Sequence, residues 1–402
     1  MTLSVDVETW FARPGARAVF DALQAHGGEV RFAGGCVRDA LIGRDVSDLD
    51  LATDLLPQQV MAALESAGIA AKPTGIEHGT VMAVVDRTPY EITTLRLDVV
   101  TDGRHAKVAF TDDWAADAAR RDFTINGLFA DASGKVIDHV GGLDDIAAKQ
   151  IRFIGDANAR IIEDYLRILR FFRFQSQLLG FSICPEGLAA AAQNSAGLGQ
   201  ISAERIASEL RKLLLGDQVV QALVAMVGAG VDRWVFQGGI DPQRIDLVGE
   251  LAAREPKPEA LRRLFVLLGA DWVMAAATAL KLSNRDHDRL LGMQKSWKNK
   301  HLFASNMHDL ALDTALYLLG GTAALDGAVL ADCAALADRL QARVPPKFPL
   351  SGKDLQDFGL PPGPAMGALL QALDEWWVIQ GFPPRQAVLE ELERRLGEMI
   401  DE

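Results

Sequence analysis

"RFAGGCVRDALIGRDVSDLDLATD", residues 31–54, is the stretch on which the reading of this chain turns. An apolar strand runs into Gly34 and Gly35, a helix carrying Arg38 follows, and Asp48 and Asp50 then alternate around Leu49 on what reads as a second strand. Glycines directly after a strand let the backbone approach a phosphate closely, with N–H groups offered at the start of the next helix. Residues two apart on a strand project from one face, so Asp48 and Asp50 are expected to point the same way. Two carboxylates that close repel unless cations sit between them, which makes them a natural oxygen-ligand set for magnesium. A Gly-Gly turn and a bare Asp-x-Asp are each common alone. Together they point to phosphoryl transfer with metal ions.

Outward from this stretch, three more segments bear on the same chemistry. Glu91 lies between Tyr90 and Ile92 in "TVMAVVDRTPYEITTL", residues 80–95, which alternates around a Pro-containing turn and reads as a β-hairpin. A neighbouring strand would bring Glu91 to the aspartates; an edge strand would leave it a surface glutamate. "ARRDFTINGLFAD", residues 119–131, sets Arg120, Arg121 and Asp122 ahead of an apolar stretch and Asn126. Arginine forks grip phosphate oxygens bidentately, although "RRD" also suits a charge cluster at a helix N-terminus. "ARIIEDYLRILRFFRF", residues 159–174, predicts one helix with Arg160, Asp164 and Arg167 on a shared face and Ile161, Tyr165, Ile168 and Phe172 as its apolar stripe. An Asp three residues before an Arg is most often a surface ion pair worth about 0.2–0.5 kcal/mol. Facing a nucleotide, the two side chains can instead read a base. Cytosine and adenine both present an exocyclic amine beside an unprotonated ring nitrogen, so Asp164 accepts from the amine while Arg167 donates to the ring. Guanine and uracil present a carbonyl beside a ring N–H and meet the pair with matching signs.

The 402 residues, 49% apolar and 24% charged, make a globular chain of two to four packed units. Up to about residue 145 helical and strand patterns mix, and from Ile146 onward strand signals almost vanish. The expected class is therefore α+β, a small mixed sheet with helices followed by an all-α remainder. The apolar run Leu264 to Leu280 is interrupted by Asp271 and reads as a buried helix, not a membrane span. Asp6 and Glu8 near the start argue against an export signal, and the widely spaced Cys36, Cys184 and Cys333 fit free thiols in a reducing cytosol. A net charge of −13 argues in bulk against a nucleic-acid partner. Local clusters argue the other way: Arg152, Arg160, Arg167, Arg170 and Arg173, and "KSWKNKH", residues 295–301, though either also suits a solvated helix face. Cys36 has no Cys/His neighbours in sequence for zinc and reads as a packing residue. His287 and Asp288 spell a phosphohydrolase dipeptide, but no histidine lies between His139 and His287 to begin such a site.

Taken in order, "GGCVRDALIGRDVSDLDLAT", "EITTLRLD", "DGRHAKV", "RRDFTING", "DHVGGLDDI", "IRFIGDANARIIEDYLRILRFFRF" and "ISAERIASELRKLL" resemble the successive motifs of the class II CCA-adding tRNA nucleotidyltransferases, in the polymerase β-like and poly(A) polymerase superfamily. The motifs span roughly residues 30–215, and "FPLSGKDLQDFGLPPGPAMG" resembles a more weakly shared later segment. The resemblance implies a catalytic head (1–145), a helical neck with a base-recognition helix (146–215), and a helical body and tail that bind tRNA (216–402). It implies two magnesium ions on Asp48 and Asp50; Glu91, read from the hairpin, is the candidate third catalytic carboxylate beside them. Gly35, Arg38 and Arg121 contact triphosphate and ribose, with Gly34 and Asp122 in the same nucleotide site. Asp164 and Arg167 select CTP or ATP, with Arg170 and Arg173 nearby, and residues 97–119 form a loop linked to switching from C to A. Gly127 stands where the family often has alanine. A cytoplasmic enzyme with no membrane partner is implied, its oligomeric state left open. Bacterial poly(A) polymerase is the nearest alternative, but "DVVTDGRHAKV" stands where its arginine-rich signature is expected. Enzymes adding only CC or only A, and a non-catalytic RNA-binding protein on the same scaffold, stay open.

Overall fold

The computed structural model describes residues 3–100 and 107–400, so the centre of "DGRHAKV" lies outside the described residues. The chain divides into two units, Met1–Ile245 and Asp246–Glu402.

The first unit is built on strands β1 (Val30–Ala33), β2 (Asp50–Thr53), β3 (Ala70–Gly75), β4 (Thr80–Val85), β5 (Thr88–Thr94), β6 (Arg96–Val100), β7 (Lys107–Phe110), β8 (Leu128–Ala130) and β9 (Val136–Asp138). Seven of them form one sheet in the order β3-β4-β5-β2-β1-β8-β9, while β6 and β7 pair separately. The β4–β5 hairpin forms as expected, but its turn is Asp86–Arg87, both left-handed at φ 48° and 66°, a conformation that matches the twist of the flanking strands. Pro89 instead sits inside β5, opposite Val84. Every pairing in the large sheet is antiparallel except β2 with β5, whose parallel register sets Asp50 opposite Glu91. Glu91 is therefore on an interior strand, and the edge-strand alternative is removed.

Alternation along β1 and β2 divides the sheet into two faces. Phe32 and Leu51 enter a large core with Phe20, Leu23, Tyr90 and Ile92, whereas Ala33 and Ala52 enter a smaller one with Leu95, Trp114 and Phe129. Burying each large side chain contributes roughly 1.5–3 kcal/mol, which fixes the register and hence the face on which Asp50 emerges. Period two places Asp50 on the Ala52 side. Beyond the sheet the expected helix over residues 159–174 is two helices, Ala157–Glu163 and Leu166–Gln177. Asp164 breaks them: its backbone is extended (φ −153°, ψ 103°) and its Oδ1 accepts the Leu166 N–H at 3.1 Å. Phe123, Phe153, Phe171 and Phe174 pack in stacked, tilted and edge-to-face contacts at centroid separations of 4.9–5.8 Å and pin the "RRDF" segment onto the second helix. Strand structure after residue 146 is confined to β10 (Gln150–Ile151) and β11 (Ser182–Ile183) among the described residues.

Every regular element described in the second unit is a helix. Its apolar run forms the helix Ala260–Ala279, kinked at Gly269 (φ 77°), and Trp272 within it is 67% exposed, so this helix is buried on one side only. Buried charges are matched: Glu255 takes Arg262 and Arg263, and Asp326 takes Arg262 and Arg289. No described helix is long and apolar enough to cross a membrane.

Candidate active site

Ala33, the last residue of β1, opens into a cleft of about 690 Å³ within the first unit. Gly34 turns the chain at φ 70°, ψ −118°, a region open to glycine, and a Cβ there would stand 3.0 Å from Nη1 of Arg121. The arginine thus lies against the bare backbone of the turn. Gly34, Gly35, Arg38, Asp50, Glu91, Arg121, Asp122, Asp164, Arg167 and Arg170, all singled out from sequence, line this one cleft. Seven arginines against four carboxylates line it, leaving it positive by three in a chain whose net charge is −13. Such a wall suits a polyanion.

The acidic floor is uncompensated. Asp50 and Glu91 face each other across β2 and β5, and neither enters an ion pair among the described residues. Partial burial, then the charge of Glu91, then that of Asp48 push the Asp50 carboxyl up to about 6, against the pull of Arg121. Carboxylates crowded at that cost are a fit for a dication. Among the described residues no group of three His, Cys, Asp or Glu is gathered closely enough to hold a metal alone. Magnesium is a hard ion that keeps waters and takes one or two carboxylates plus substrate phosphates, so two or three partly spaced acids suffice. Asp48 departs from expectation. It lies outside β2, whose pairing starts at Asp50, it is exposed, its Oδ2 accepts from the Ser47 hydroxyl at 2.9 Å, and it does not line the cleft. Its charge nevertheless reaches Asp50.

The arginines are held by buried acids. Asp117, with a side chain 1% exposed, takes Nε of Arg120 at 2.8 Å, Nη2 of Arg121 at 3.0 Å and the backbone N–H of Arg96 at 3.2 Å. Burial opposes its charge, but Arg121 and Arg120 outweigh it and hold the carboxyl below the usual range. Arg38 chelates Asp39 through two bonds of 3.0 Å and also donates to the Asn126 side chain. Asp122 is fully engaged: Arg170 donates to Oδ2, while the Asn126 amide and the Phe123 N–H donate to Oδ1, each at 2.9 Å. Burial disfavours its charge, and Arg170 with these donors overcomes that and lowers its pKa. Asp122 therefore positions Arg170 and Asn126.

Asp164 and Arg167 are arranged differently from a simple ion pair. The backbone N–H of Arg167 donates to the Asp164 carbonyl at 3.0 Å, but their side chains do not bond each other: Arg167 donates to Glu163 and to the Arg160 carbonyl (2.8 Å), and the Asp164 carboxylate accepts from Arg205 at 2.8 Å. Arg160 turns away to the carbonyls of Ala119 and Arg121, bracing the "RRD" segment from behind. Arg173, expected at the nucleotide, does not line the cleft. It is buried with Nε 3.2 Å from Glu209 and its guanidinium 4.4 Å from the Phe174 ring centre. Cys36 is a packing residue whose thiol is raised to about 11 by burial and then by Asp50. Gly127 has a local cause, since a Cβ there would meet Val140 at 2.5 Å.

Sequence reasoning missed Arg96, Arg205 and Phe174 in the cleft wall. Only Arg205 left a signal: it lies four residues before Glu209, so both face one way on their helix.

A glycine turn, opposed carboxylates and arginine walls on a small mixed sheet define a nucleotidyltransferase head. Comparison with known proteins agrees: a profile described as "Poly A polymerase head domain" matches residues 30–152, and one described as "Probable RNA and SrmB- binding site of polymerase A" matches residues 180–238. The human "CCA tRNA nucleotidyltransferase 1, mitochondrial" is 36% identical over 368 residues, covering 88% of this chain and 84% of that protein. The CCA-adding enzyme of Levilactobacillus brevis is 33% identical over 383 residues, covering 92% and 94%. The crystal structure of the Bacillus stearothermophilus CCA-adding enzyme in complex with CTP superposes with a TM-score of 0.80 at 28% identity, over 96% of this chain and 98% of that one. The chain belongs to the class II CCA-adding tRNA nucleotidyltransferases of the poly(A) polymerase superfamily.

Proposed function

We propose that this protein adds C, C and A to the 3′ end of tRNA, taking CTP and ATP and releasing pyrophosphate without a nucleic-acid template. The observation that carries this reading is the single cleft in which the acidic floor of β2 and β5, the arginine wall and the Asp164–Arg167 pair converge. Gly34 and Gly35 let the triphosphate lie against the backbone, and Arg38 and Arg121, held in place by Asp39 and Asp117, neutralise it. Asp164 accepts from the exocyclic amine of cytosine or adenine and Arg167 donates to the adjacent ring nitrogen, which admits two bases and rejects two. Arg170, anchored on Asp122, closes the wall beside the base.

Asp48 and Asp50, with Glu91 opposite, would hold magnesium, which when bound lowers the pKa of the tRNA 3′-hydroxyl and neutralises the departing pyrophosphate. The chain's own contribution is alignment: the β2–β5 pairing fixes Asp50 opposite Glu91, with Asp48 two residues ahead of it, and the glycine turn fixes the phosphates relative to them. The division of labour is a catalytic head over residues 1–145, base recognition over 146–215 and tRNA binding over 216–402, in a cytoplasmic enzyme.

The test is incubation with tRNAs ending at each of the last three positions, offering one labelled nucleotide at a time. CMP entering twice and AMP once is the expected result. Addition of C alone, of A alone, or of many A residues would replace the reading with a partial enzyme or a poly(A) polymerase, and no magnesium-dependent turnover would leave an RNA-binding protein.

A further inference from the structure

On the helix Ala203–Leu214, Arg205 and Glu209 lie four residues apart and both reach back to the Asp164–Gln177 region. Glu209 meets Arg173 in a buried pair, the two side chains 6% and 10% exposed. That contact fixes the rotation and register of one helix on the other, and so carries Arg205 to Asp164, where Nη2 donates to Oδ2 at 2.8 Å. Asp164 stands between two helices with an extended backbone, so no helical turn restrains its side chain. Its two oxygens are held from separate directions, Oδ1 by the Leu166 N–H and Oδ2 by Arg205. A carboxylate oxygen accepts in two directions, which leaves one on each for an incoming donor. Arg205 also lines the cleft.

We propose that Arg205 is a specificity-determining positioning residue, fixing the Asp164 carboxylate in the acceptor orientation that takes a hydrogen bond from the amine of cytosine or adenine. Resting on the tRNA-extension reading above, the discrimination of C and A against U then depends on a side chain that need not touch the base. Without Arg205 the carboxylate keeps its Leu166 bond but turns about it, and the geometric penalty on a carbonyl-bearing base falls.

The experiment measures kcat/KM for CTP and for UTP on a tRNA transcript lacking its last three nucleotides, in wild type, Arg205→Met and Arg205→Lys, with thermal melts of each. The methionine keeps the packed stem without the charge. The expected result is a fall of about tenfold or more in the CTP to UTP ratio for Arg205→Met, about 1.4 kcal/mol of discrimination, with part of it restored in Arg205→Lys. A ratio equal to wild type, with KM raised alike for both nucleotides, would make Arg205 a phosphate contact and overturn the proposal. Should Arg205→Met fail to fold, the ratio in Arg205→Lys decides, a fall of a few fold supporting the role and no change refuting it. A wild-type protein that adds no CMP at all sinks the functional reading itself, a result distinct from a selective wild type with an equally selective variant.

Discussion

Asp50 shows how a single residue can weaken a fold in the service of a site. Its carboxyl, raised to about 6 by burial and the acids around it, holds a proton more tightly in the folded than in the unfolded chain. The stability that this proton contributes is complete below the unfolded pKa near 4 and is lost as pH rises through about 6. Replacing Asp50 with Asn removes the charge. Without divalent ions at pH 7.5, Asp50→Asn is expected to melt about 1–2 °C above wild type, the gap closing as pH falls from 6 to 4. Adding magnesium should raise the wild-type melting temperature and leave the variant unmoved. Differential scanning calorimetry across pH measures both, and a variant that melts below wild type at pH 7.5 would show that Asp50 is not crowded.

At the scale of elements, Asp117 ties the start of β6, through the Arg96 N–H, to the two arginines at the end of its own helix. Removing one partner of a buried pair leaves the others uncompensated, at about 3–5 kcal/mol. Asp117→Asn should therefore unfold at lower denaturant, and its KM for CTP and ATP should rise by a similar factor because Arg121 loses its anchor, with kcat changing less. Steady-state kinetics beside a urea titration read the two effects, and an unchanged KM would detach Asp117 from the phosphates.

Much of this architecture was legible in the chain. Spacing alone revealed the strand into Gly34 and the β4–β5 hairpin. The interruption at Asp164 was not, because aspartate is only mildly unfavourable inside a helix and its capping bond and Arg205 partner become visible only in three dimensions. Asp48 was placed on a strand by alternation, whereas pairing with β5 begins two residues later. Arg173 looked like its neighbours on a basic face, and Glu209, 36 positions further on, drew it inward.

For the whole molecule, the charge balance decides how RNA is met. A chain of net −13 repels polyanions except where its arginines gather, so association depends on a small positive surface. An excess of three charges in the cleft implies about two to three displaced counterions. Raising salt from 50 to 200 mM should then weaken tRNA binding on the order of tenfold or more. Filter binding or anisotropy across that range checks it, and a flat affinity would mean that the cleft does not meet the RNA backbone.

The parallel pairing of β2 with β5 has a consequence for synthesis. Asp50 and Glu91 become neighbours only after a crossover through β3 and β4 has been laid down and folded back. A nascent chain that has emerged only as far as β4 carries the aspartates without their counterpart and cannot yet form the acidic floor. The acidic floor thus cannot be assembled piecemeal: it waits until the crossover strands have been made and paired.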